Sequence, residues 1–350
     1  MTIFANPFRG SGLPAGAPVE PGSVESDPAA ARALFARCPK AAGTPLLNRP
    51  DLAARPGIGA LHLKDERGRM GLGSFKALGA AHAIAKRAEA RGGRLEGETI
   101  VTASAGNHGL SVAAGAAAFG AEAAIYVAET VPEAFADRLR ARGARVVRYG
   151  AIYEEAMAAA AEAAAREGWF LLSDSSWPGY SAPARDVMEG YLIMAEEAAA
   201  AMPAPPTHLF LQAGVGGLAA AVAAHARRVW GAGPVIAVVE PAFAPALLES
   251  VRAGRPALAP GPVSIMGRLD CKEPSHLALA ALARDADLFM TVTEAEADGA
   301  GRALGEAGLP TTPSGGAGFA GLEAAARAGA AGLGPESRAL VFLSEGPEDA

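Results

Sequence analysis

Residues 71–79 are Gly-Leu-Gly-Ser-Phe-Lys-Ala-Leu-Gly, and this stretch separates a strand pattern before it from a helix pattern after it. The glycines let the backbone turn, and Ser74 is a suitable N-cap for an alanine-rich helix that we expect to run to about Arg91. Lys76 then lies in the first turn, where a cation opposes the helix dipole, so we expect its pKa to be lowered. A neutral amine suits a Schiff-base nucleophile or a proton-abstracting base, but the stretch alone is equally consistent with a solvated lysine.

The composition is that of a large globular protein. Its 350 residues favour two lobes over one, and a content of 51% hydrophobic and 19% charged residues excludes a disordered chain. A net charge of -6 offers no basic field for nucleic acid or anionic lipid. We find no secretory leader pattern and no run of ~18 apolar residues, so we expect a cytoplasmic protein without a membrane segment.

Few residues are candidates for disulfide, metal or Schiff-base chemistry. Cys38 and Cys271 are too far apart in sequence to form a disulfide framework or a metal cluster by spacing, so we expect no metal site. The chain has five lysines, which are Lys40, Lys64, Lys76, Lys86 and Lys272.

Working outward from the lysine stretch, short apolar runs alternate with helical segments. Residues 1–26 are rich in Pro, Gly and Ser and predict an extended arm, followed by a short helix over residues 28–37. Strands are predicted at 59–64, 99–103, 123–128, 144–149, 169–172, 207–212, 235–239, 288–292 and 339–343. Strands that alternate with helices form βαβ units, so we predict an α/β protein whose parallel sheets are flanked by helices.

This alternation predicts two domains. We place a small domain at residues 97–177 and a large, discontinuous domain at 27–96 and 178–350, with residues 1–26 as the arm. Function is expected where the carboxyl ends of parallel strands meet a crevice, and four loops lie at such ends.

The first two loops have anion-binding features. Residues 104–109, Ser-Ala-Gly-Asn-His-Gly, carry a hydroxyl, an amide and an imidazole at a helix start and could hold a carboxylate, or form an ordinary capped turn. Residues 214–218, Gly-Val-Gly-Gly-Leu, could hold a phosphate. They also fit a dinucleotide motif in which Glu240 would bind a ribose, although such an enzyme has no need of the other loops.

The other two loops follow the last strand of each predicted domain. Residues 344–346 are Ser-Glu-Gly, and residues 173–180 contain Asp174 and two aromatic residues. The less favoured alternative for the second of these is a polar turn that closes the small domain.

Together the loops resemble the fold-type II family of pyridoxal phosphate enzymes, which has a two-lobed, tryptophan synthase β-like fold and includes serine and threonine dehydratases. The resemblance covers about residues 44–345. It rests on residues 63–66, 71–72, 75–76, 106–109, 174, 177, 179–180, 189–191, 211–216, 239–241, 265–267, 271, 273–274, 314–316 and 344–346. The Trp-Pro-Gly-Tyr loop at 177–180 and the segment from Met266 to Pro274 are similar to the ammonia-lyases of this family that act on 2,3-diaminopropionate.

The resemblance implies a role for each loop. Lys76 would bind pyridoxal 5'-phosphate as a Schiff base, Asn107 would contact the ring hydroxyl, and Ser344 would face the ring nitrogen without protonating it. The phosphate would be held by Gly214, Val215, Gly216 and Gly217. The substrate carboxylate would be bound by Ser104, Gly106, Asn107 and His108, and Asp174 would bind the β-amino group of a diamino substrate.

The activity implied is α,β-elimination on a small amino acid, with 2,3-diaminopropionate as the preferred substrate and pyruvate and ammonia as products. These ammonia-lyases carry an aspartate and the racemases a serine where this chain has Ala105, which cannot accept a proton, so we predict selectivity for the L-enantiomer. Cys271 lacks a plausible disulfide partner. The family also implies a homodimer.

Several alternatives remain open. A serine, threonine or 3-hydroxyaspartate dehydratase would use the same cofactor chemistry, and Arg268 and Lys272 flank a site segment where they could bind an acidic substituent or simply face solvent. An NAD-dependent enzyme and a non-catalytic amino-acid-binding protein are more distant.

Overall fold

The computed structural model describes residues 1–19 and 22–347. Two residues of the predicted arm, at positions 20 and 21, and the last three residues of the predicted large domain lie outside the described chain. The strands are β1 (Ile3–Ala5), β2 (Leu46–Asn48), β3 (Ala60–Asp65), β4 (Thr99–Ala103), β5 (Glu122–Val127), β6 (Arg145–Arg148), β7 (Phe170–Leu171), β8 (His208–Gln212), β9 (Val235–Pro241), β10 (Leu288–Val292) and β11 (Arg338–Leu343).

The helices fill the segments between these strands. They are α1 (Ala29–Phe35), α2 (Pro50–Ala53), α3 (Lys76–Glu89), α4 (Asn107–Phe119), α5 (Glu133–Arg140), α6 (Tyr153–Glu167), α7 (Ala182–Ala201), α8 (Gly217–Trp230), α9 (Ala246–Ala253), α10 (His276–Asp285), α11 (Glu294–Glu306) and α12 (Ala317–Arg327), with a short 3₁₀ turn at Arg69–Gly71.

The strands form two sheets. One has seven strands in the order β1-β10-β9-β8-β11-β3-β2, and the other has four in the order β6-β5-β4-β7. All neighbours are parallel except the two outer pairs of the larger sheet, where β1 pairs with β10 and β2 with β3. The predicted α/β class with parallel sheets and flanking helices is therefore confirmed.

The interior strands are buried on both faces. In β8 all five residues are buried, and Leu209 and Leu211 pack into one hydrophobic cluster while Phe210 packs into another on the opposite face. A parallel strand covered by helices on both faces needs a continuous apolar run. These strands could be predicted from the sequence because they contain such runs.

The edges of the larger sheet differ from the prediction. Residues of the predicted arm form β1, where Ile3 pairs with Met290, and the side-chain amide of Asn6 donates to the carbonyls of Ala283 and Ala286. The segment before residue 97 contributes β2 and β3 to this sheet. The boundaries of the two domains stay a prediction.

Close packing against α7 holds α3, the helix that begins at Lys76, in position. A Cβ built on Gly79 would lie 2.6 Å from the Tyr191 ring, and one on Gly190 would lie 2.5 Å from the Leu78 carbonyl oxygen. Only glycine at these positions lets the two helices approach this closely. Within residues 1–19 and 22–347, no helix has the length and apolar character needed to cross a membrane.

Candidate active site

Lys76 is the first residue of α3, but Ser74 is not the N-cap. Phe75 occupies the cap position, and Ser74 is fully buried and forms an isolated bridge with Glu345. The backbone on either side of Ser74 pairs with the end of β11, because the Phe75 N–H donates to the Ser344 carbonyl at 3.0 Å and the Gly346 N–H to the Gly73 carbonyl at 3.0 Å. This pairing extends the chain through Ser74, so the helix begins two residues after the predicted cap.

The loop before Lys76 is held by a buried charge network. Met70 has φ 52° and Gly71 has φ 68°, so the backbone is left-handed at two successive residues. The adjacent Arg69 guanidinium is 1% exposed and lies 2.7 Å from Glu66 and 2.6 Å from Glu197. These contacts fix an otherwise unfavourable backbone next to the lysine.

The amine of Lys76 pairs with the carboxylate of Asp174. The Lys76 Nζ donates to Asp174 Oδ2 and lies 5.1 Å and 5.9 Å from the ring centroids of Phe75 and Tyr191. The two charged side chains are only 21% and 18% exposed. The structure thus brings together two of the predicted site residues that lie 98 residues apart in the chain.

This pair reverses the expected pKa of Lys76. Burial acts to lower the pKa of the amine, but the charge and hydrogen bond of Asp174 outweigh burial, so the pKa is raised. The expectation of a lowered pKa, based on the helix dipole alone, is therefore wrong for this structure. Burial acts to raise the pKa of Asp174, while the charge and hydrogen bond of Lys76 hold it well below its usual range.

The loop at residues 104–109 places Asn107 in the crevice and His108 in the interior. The Gly106 N–H donates to Ser104 Oγ at 3.3 Å, and the Asn107 side-chain amide donates to Glu345. His108 is 5% exposed and its Nε2 donates to the Leu172 carbonyl at 2.9 Å. Burial lowers the pKa of His108, so it is a neutral anchor between the loop and β7.

Two glycines of the loop between β8 and α8 leave no room for a side chain. A Cβ on Gly214 would lie 2.9 Å from the Cys271 Sγ, and one on Gly216 would lie 3.0 Å from the Ala278 Cβ. Gly216 also has φ 104°, which L side chains rarely adopt. The loop leads directly into the N-terminus of α8 at Gly217, so its backbone N–H groups and the helix dipole suit a phosphate.

The end of β11 adds a second carboxylate that the sequence analysis had given no role. Ser344 is 4% exposed, and the adjacent Glu345 accepts hydrogen bonds from Thr312 and from Asn107. The Arg268 Nε lies 4.0 Å from Glu345 Oε2, the oxygen that accepts from Asn107. The Ser-Glu-Gly motif had marked this loop, but nothing in the spacing indicated which residues Glu345 would contact.

Arg268 and Lys272 do not form a pair. The Lys272 amine donates to the carbonyls of Phe243 and Pro262 at 3.0 Å and 2.9 Å and contacts Asp270, so it holds a loop. Arg268 instead lines a crevice of about 450 Å³ together with Asn107 and Glu345.

Three further expectations can be compared with the structure. Glu240 is fully buried and accepts from the N–H groups of Leu247 and Leu248 at 2.7 Å and 2.8 Å, so it caps α9 and cannot bind a ribose as the dinucleotide alternative requires. Both cysteines are free thiols, and burial raises the pKa of Cys271 to about 12. In the described part of the chain no cluster of three metal-ligating side chains occurs.

Comparison with known proteins identifies a family that agrees with the geometry of the site. The sequence model of the family described as pyridoxal-phosphate dependent enzyme matches residues 39–345. The diaminopropionate ammonia-lyase of Salmonella typhimurium is 32% identical over 288 residues, covering 75% of this chain and 71% of that protein. The serine dehydratase-like protein of Mus musculus is 31% identical over 230 residues, covering 65% of each.

A solved structure is similar over nearly the whole chain. It is the diaminopropionate ammonia lyase of Escherichia coli in complex with an aminoacrylate-PLP azomethine reaction intermediate. It superposes with a TM-score of 0.88 at 28% identity and covers 99% of this chain and 94% of that one.

Proposed function

Because the chain belongs to the pyridoxal-phosphate dependent enzymes, we propose that it catalyses α,β-elimination on L-2,3-diaminopropionate. One water is consumed, and pyruvate and two molecules of ammonia are released. The observation that carries the substrate is the pair of Lys76 and Asp174, in which a buried carboxylate already holds a primary ammonium group. The β-ammonium of the substrate has the same charge and hydrogen-bond donors as the Lys76 amine.

The predicted site residues fit pyridoxal 5'-phosphate, the cofactor of this family. The glycine loop at 214–217 would hold the phosphate, because its backbone is bare and leads into the N-terminus of α8. Lys76 would bind the cofactor covalently, Asn107 would contact the ring hydroxyl and Ser344 would face the ring nitrogen. When bound, the cofactor supplies an electron sink for the negative charge that develops at the substrate Cα.

The chain's own groups would carry the proton transfers. Lys76, once its amine is free, would remove the α-proton of the bound substrate. Asp174, released from Lys76, then holds the β-ammonium until it leaves as ammonia. The three-carbon product hydrolyses after release to pyruvate and the second ammonia.

The loop at residues 104–109 would bind the substrate carboxylate. Ser104, Gly106 and Asn107 present a hydroxyl and backbone N–H groups at the N-terminus of α4, where a negative charge is favoured. His108 supports this loop from behind through its hydrogen bond to Leu172. Ala105 has no proton acceptor, so only the Lys76 side of the substrate has a base, and we propose selectivity for the L-enantiomer.

We also propose that the enzyme is a cytoplasmic homodimer of amino-acid metabolism, with a small domain at residues 97–177 and the remaining residues after the arm in the large domain. The homodimer rests on family resemblance, and sedimentation of the purified protein would test it. Fractionation of cells that express the protein would test the location.

Reduction with borohydride tests the assignment of Lys76. The cofactor-loaded enzyme is reduced, digested and examined by mass spectrometry for a peptide that carries the cofactor. We expect the label on Lys76 alone and no turnover by Lys76→Ala, whose circular dichroism spectrum should be that of the wild type. A label on another of the five lysines, or undiminished turnover by the variant, would contradict the proposal.

A further inference from the structure

Arg268 connects two loops of the site. Its carbonyl oxygen lies 3.2 Å from the position of a Cβ built on Gly214, and its Nε lies 3.3 Å from the position of one built on Gly106. The backbone of Arg268 therefore packs on the predicted phosphate loop, and its side chain packs on the loop at residues 104–109. A substrate bound between these loops would lie beside a guanidinium group.

Arg268 is anchored through its backbone, and its guanidinium is partly removed from water. The backbone N–H of Arg268 donates to Ser314 Oγ at 3.1 Å, and the guanidinium carbon lies 5.9 Å from the ring centroid of Phe135. The side chain is 28% exposed. A fixed and partly desolvated cation attracts an anion more strongly than a solvated one does.

The site already shows how a carboxylate fits between Arg268 and Asn107. One oxygen of Glu345 accepts from the Asn107 amide and lies 4.0 Å from the Arg268 Nε, while its other oxygen accepts from Thr312. A guanidinium has five N–H donors on a planar fork, so it can serve Glu345 and a second carboxylate together.

The surrounding charges favour an anion. Arg138 lines the same crevice, and Ala105 places no acidic side chain on the loop that Arg268 contacts. Lys272 is directed away, to the carbonyls of Phe243 and Pro262.

From this geometry we propose that Arg268 binds the α-carboxylate of the amino-acid substrate, together with the loop at residues 104–109. The inference rests on the proposed lyase function in that it requires an amino acid at this site, but it does not require that the amino acid be 2,3-diaminopropionate. Arg268 would thereby select amino acids over amines that lack a carboxylate.

The test compares ligands that differ only in the carboxylate. Binding to the cofactor-loaded enzyme is followed by the change in cofactor absorbance, with L-2,3-diaminopropionate against 1,2-diaminoethane and L-serine against 2-aminoethanol. We expect Arg268→Met to weaken binding of both amino acids by about tenfold or more, the size expected for loss of a charged hydrogen bond. Binding of both amines should not change, and Arg268→Lys should restore part of the preference for amino acids.

Arg142→Met is the matched control, because it removes an exposed guanidinium from the same crevice. It should leave all four affinities unchanged. Equal weakening of amino acids and amines by Arg268→Met would show a purely structural role and overturn the inference, as would an unchanged affinity for L-serine. If L-2,3-diaminopropionate is not turned over but L-serine binding still depends on Arg268, the proposed substrate fails and this inference stands.

Discussion

Asp174 is the carboxylate that we propose binds the β-ammonium of the substrate. In the structure it holds the ammonium of Lys76, and the same contact would hold the β-ammonium of a diamino substrate. We expect Asp174→Asn to raise KM for L-2,3-diaminopropionate by about tenfold or more, because a charged hydrogen bond is replaced by a neutral one. KM for L-serine should change much less, since serine has no β-ammonium.

The comparison between the two substrates is the control for this variant. Asp174 also affects the charge of Lys76, and any effect through Lys76 would alter kcat for both substrates alike. Steady-state kinetics of both substrates with wild type and variant separate the two effects. An unchanged KM for the diamino acid would remove Asp174 from substrate recognition.

Ala105 is the residue on which the proposed enantiomer selectivity rests. We predict that Ala105→Asp creates a proton acceptor on the side of the substrate opposite Lys76, and that turnover of D-2,3-diaminopropionate then becomes measurable. Ala105→Asn has nearly the same size but cannot accept the proton, and it should remain inactive on the D-enantiomer. Release of pyruvate from each enantiomer measures this, and equal D-activity in both variants would show that size and not basicity is responsible.

For single residues, the sequence indicated which side chains belong to the candidate site but not what each of them contacts. The position of Lys76 at a helix start followed from local spacing. The sign of its pKa shift did not, because the partner that decides it lies 98 residues later in the chain. Likewise, Glu345 could be named as part of a loop, but its contacts to Asn107 and Thr312 depend on how distant segments pack.

The glycine loop between β8 and α8 should control cofactor affinity. A Cβ on Gly214 would lie 3.1 Å from the Leu269 Cα and 3.2 Å from the Arg268 carbonyl oxygen, and backbone atoms cannot rotate away as a side chain can. We expect Gly214→Ala to weaken binding of pyridoxal phosphate by roughly ten- to a hundredfold, since overpacking costs about 1–3 kcal/mol. Titration of the cofactor-free protein by absorbance measures the affinity.

Gly267→Ala is the control for this loop. No atom lies within 4 Å of the Cβ it would add, although Gly267 belongs to the segment that packs on Gly214. Its cofactor affinity should equal that of the wild type. Equal affinities for all three proteins would argue against a phosphate at this loop.

Glu240, a buried acid of β9 that caps the start of α9, should make the stability of the protein depend on pH. Burial raises the pKa of Glu240 to about 8, although the N–H groups of Leu247 and Leu248 act to lower it. Between about pH 5 and 8 the unfolded chain has released this proton and the folded chain retains it, so the free energy of unfolding falls as pH rises. The fall attributable to Glu240 should be on the order of a few kcal/mol and should level off above pH 8.

Urea unfolding of the cofactor-free protein at pH 5, 6, 7 and 8 measures this effect against Glu240→Gln. The variant cannot ionise, so the difference in unfolding midpoint between the two proteins isolates Glu240 from the titration of other groups. The wild type should lose stability relative to the variant as pH rises. A difference that stays constant, or that changes in the opposite direction, would show that Glu240 is ionised in the folded protein throughout.

Helices and strands with a strong periodic pattern could be predicted from the sequence. Short strands that form only because they pair with a neighbouring strand could not. The interior strands and most helices lie within a few residues of their predicted positions, because apolar runs and alanine-rich segments carry their own signal. The strands β1 and β2 have three residues each and exist because they pair with β10 and β3. The helix α3 begins after Ser74 for a similar reason, since the end of β11 pairs with the chain on both sides of that residue.

Across the whole molecule, the sequence predicted the class of fold but not the order of its strands. The order β1-β10-β9-β8-β11-β3-β2 places the lysine loop beside the last strand of the chain, and no local pattern indicates that adjacency. The resemblance to a known family supplied what local patterns could not, and the family and cofactor it implied are confirmed. The division into domains stays a prediction.

We propose that this protein eliminates ammonia from the L-enantiomer of a diamino acid. The decisive measurement is the release of ammonia and pyruvate from L- and D-2,3-diaminopropionate, L-serine and L-threonine, each assayed separately. We predict rapid turnover of L-2,3-diaminopropionate, with two molecules of ammonia for each pyruvate, and little or none of its D-enantiomer. Turnover of neither diamino enantiomer, with L-serine or L-threonine as the better substrate, would contradict the claim and leave only the cofactor chemistry standing.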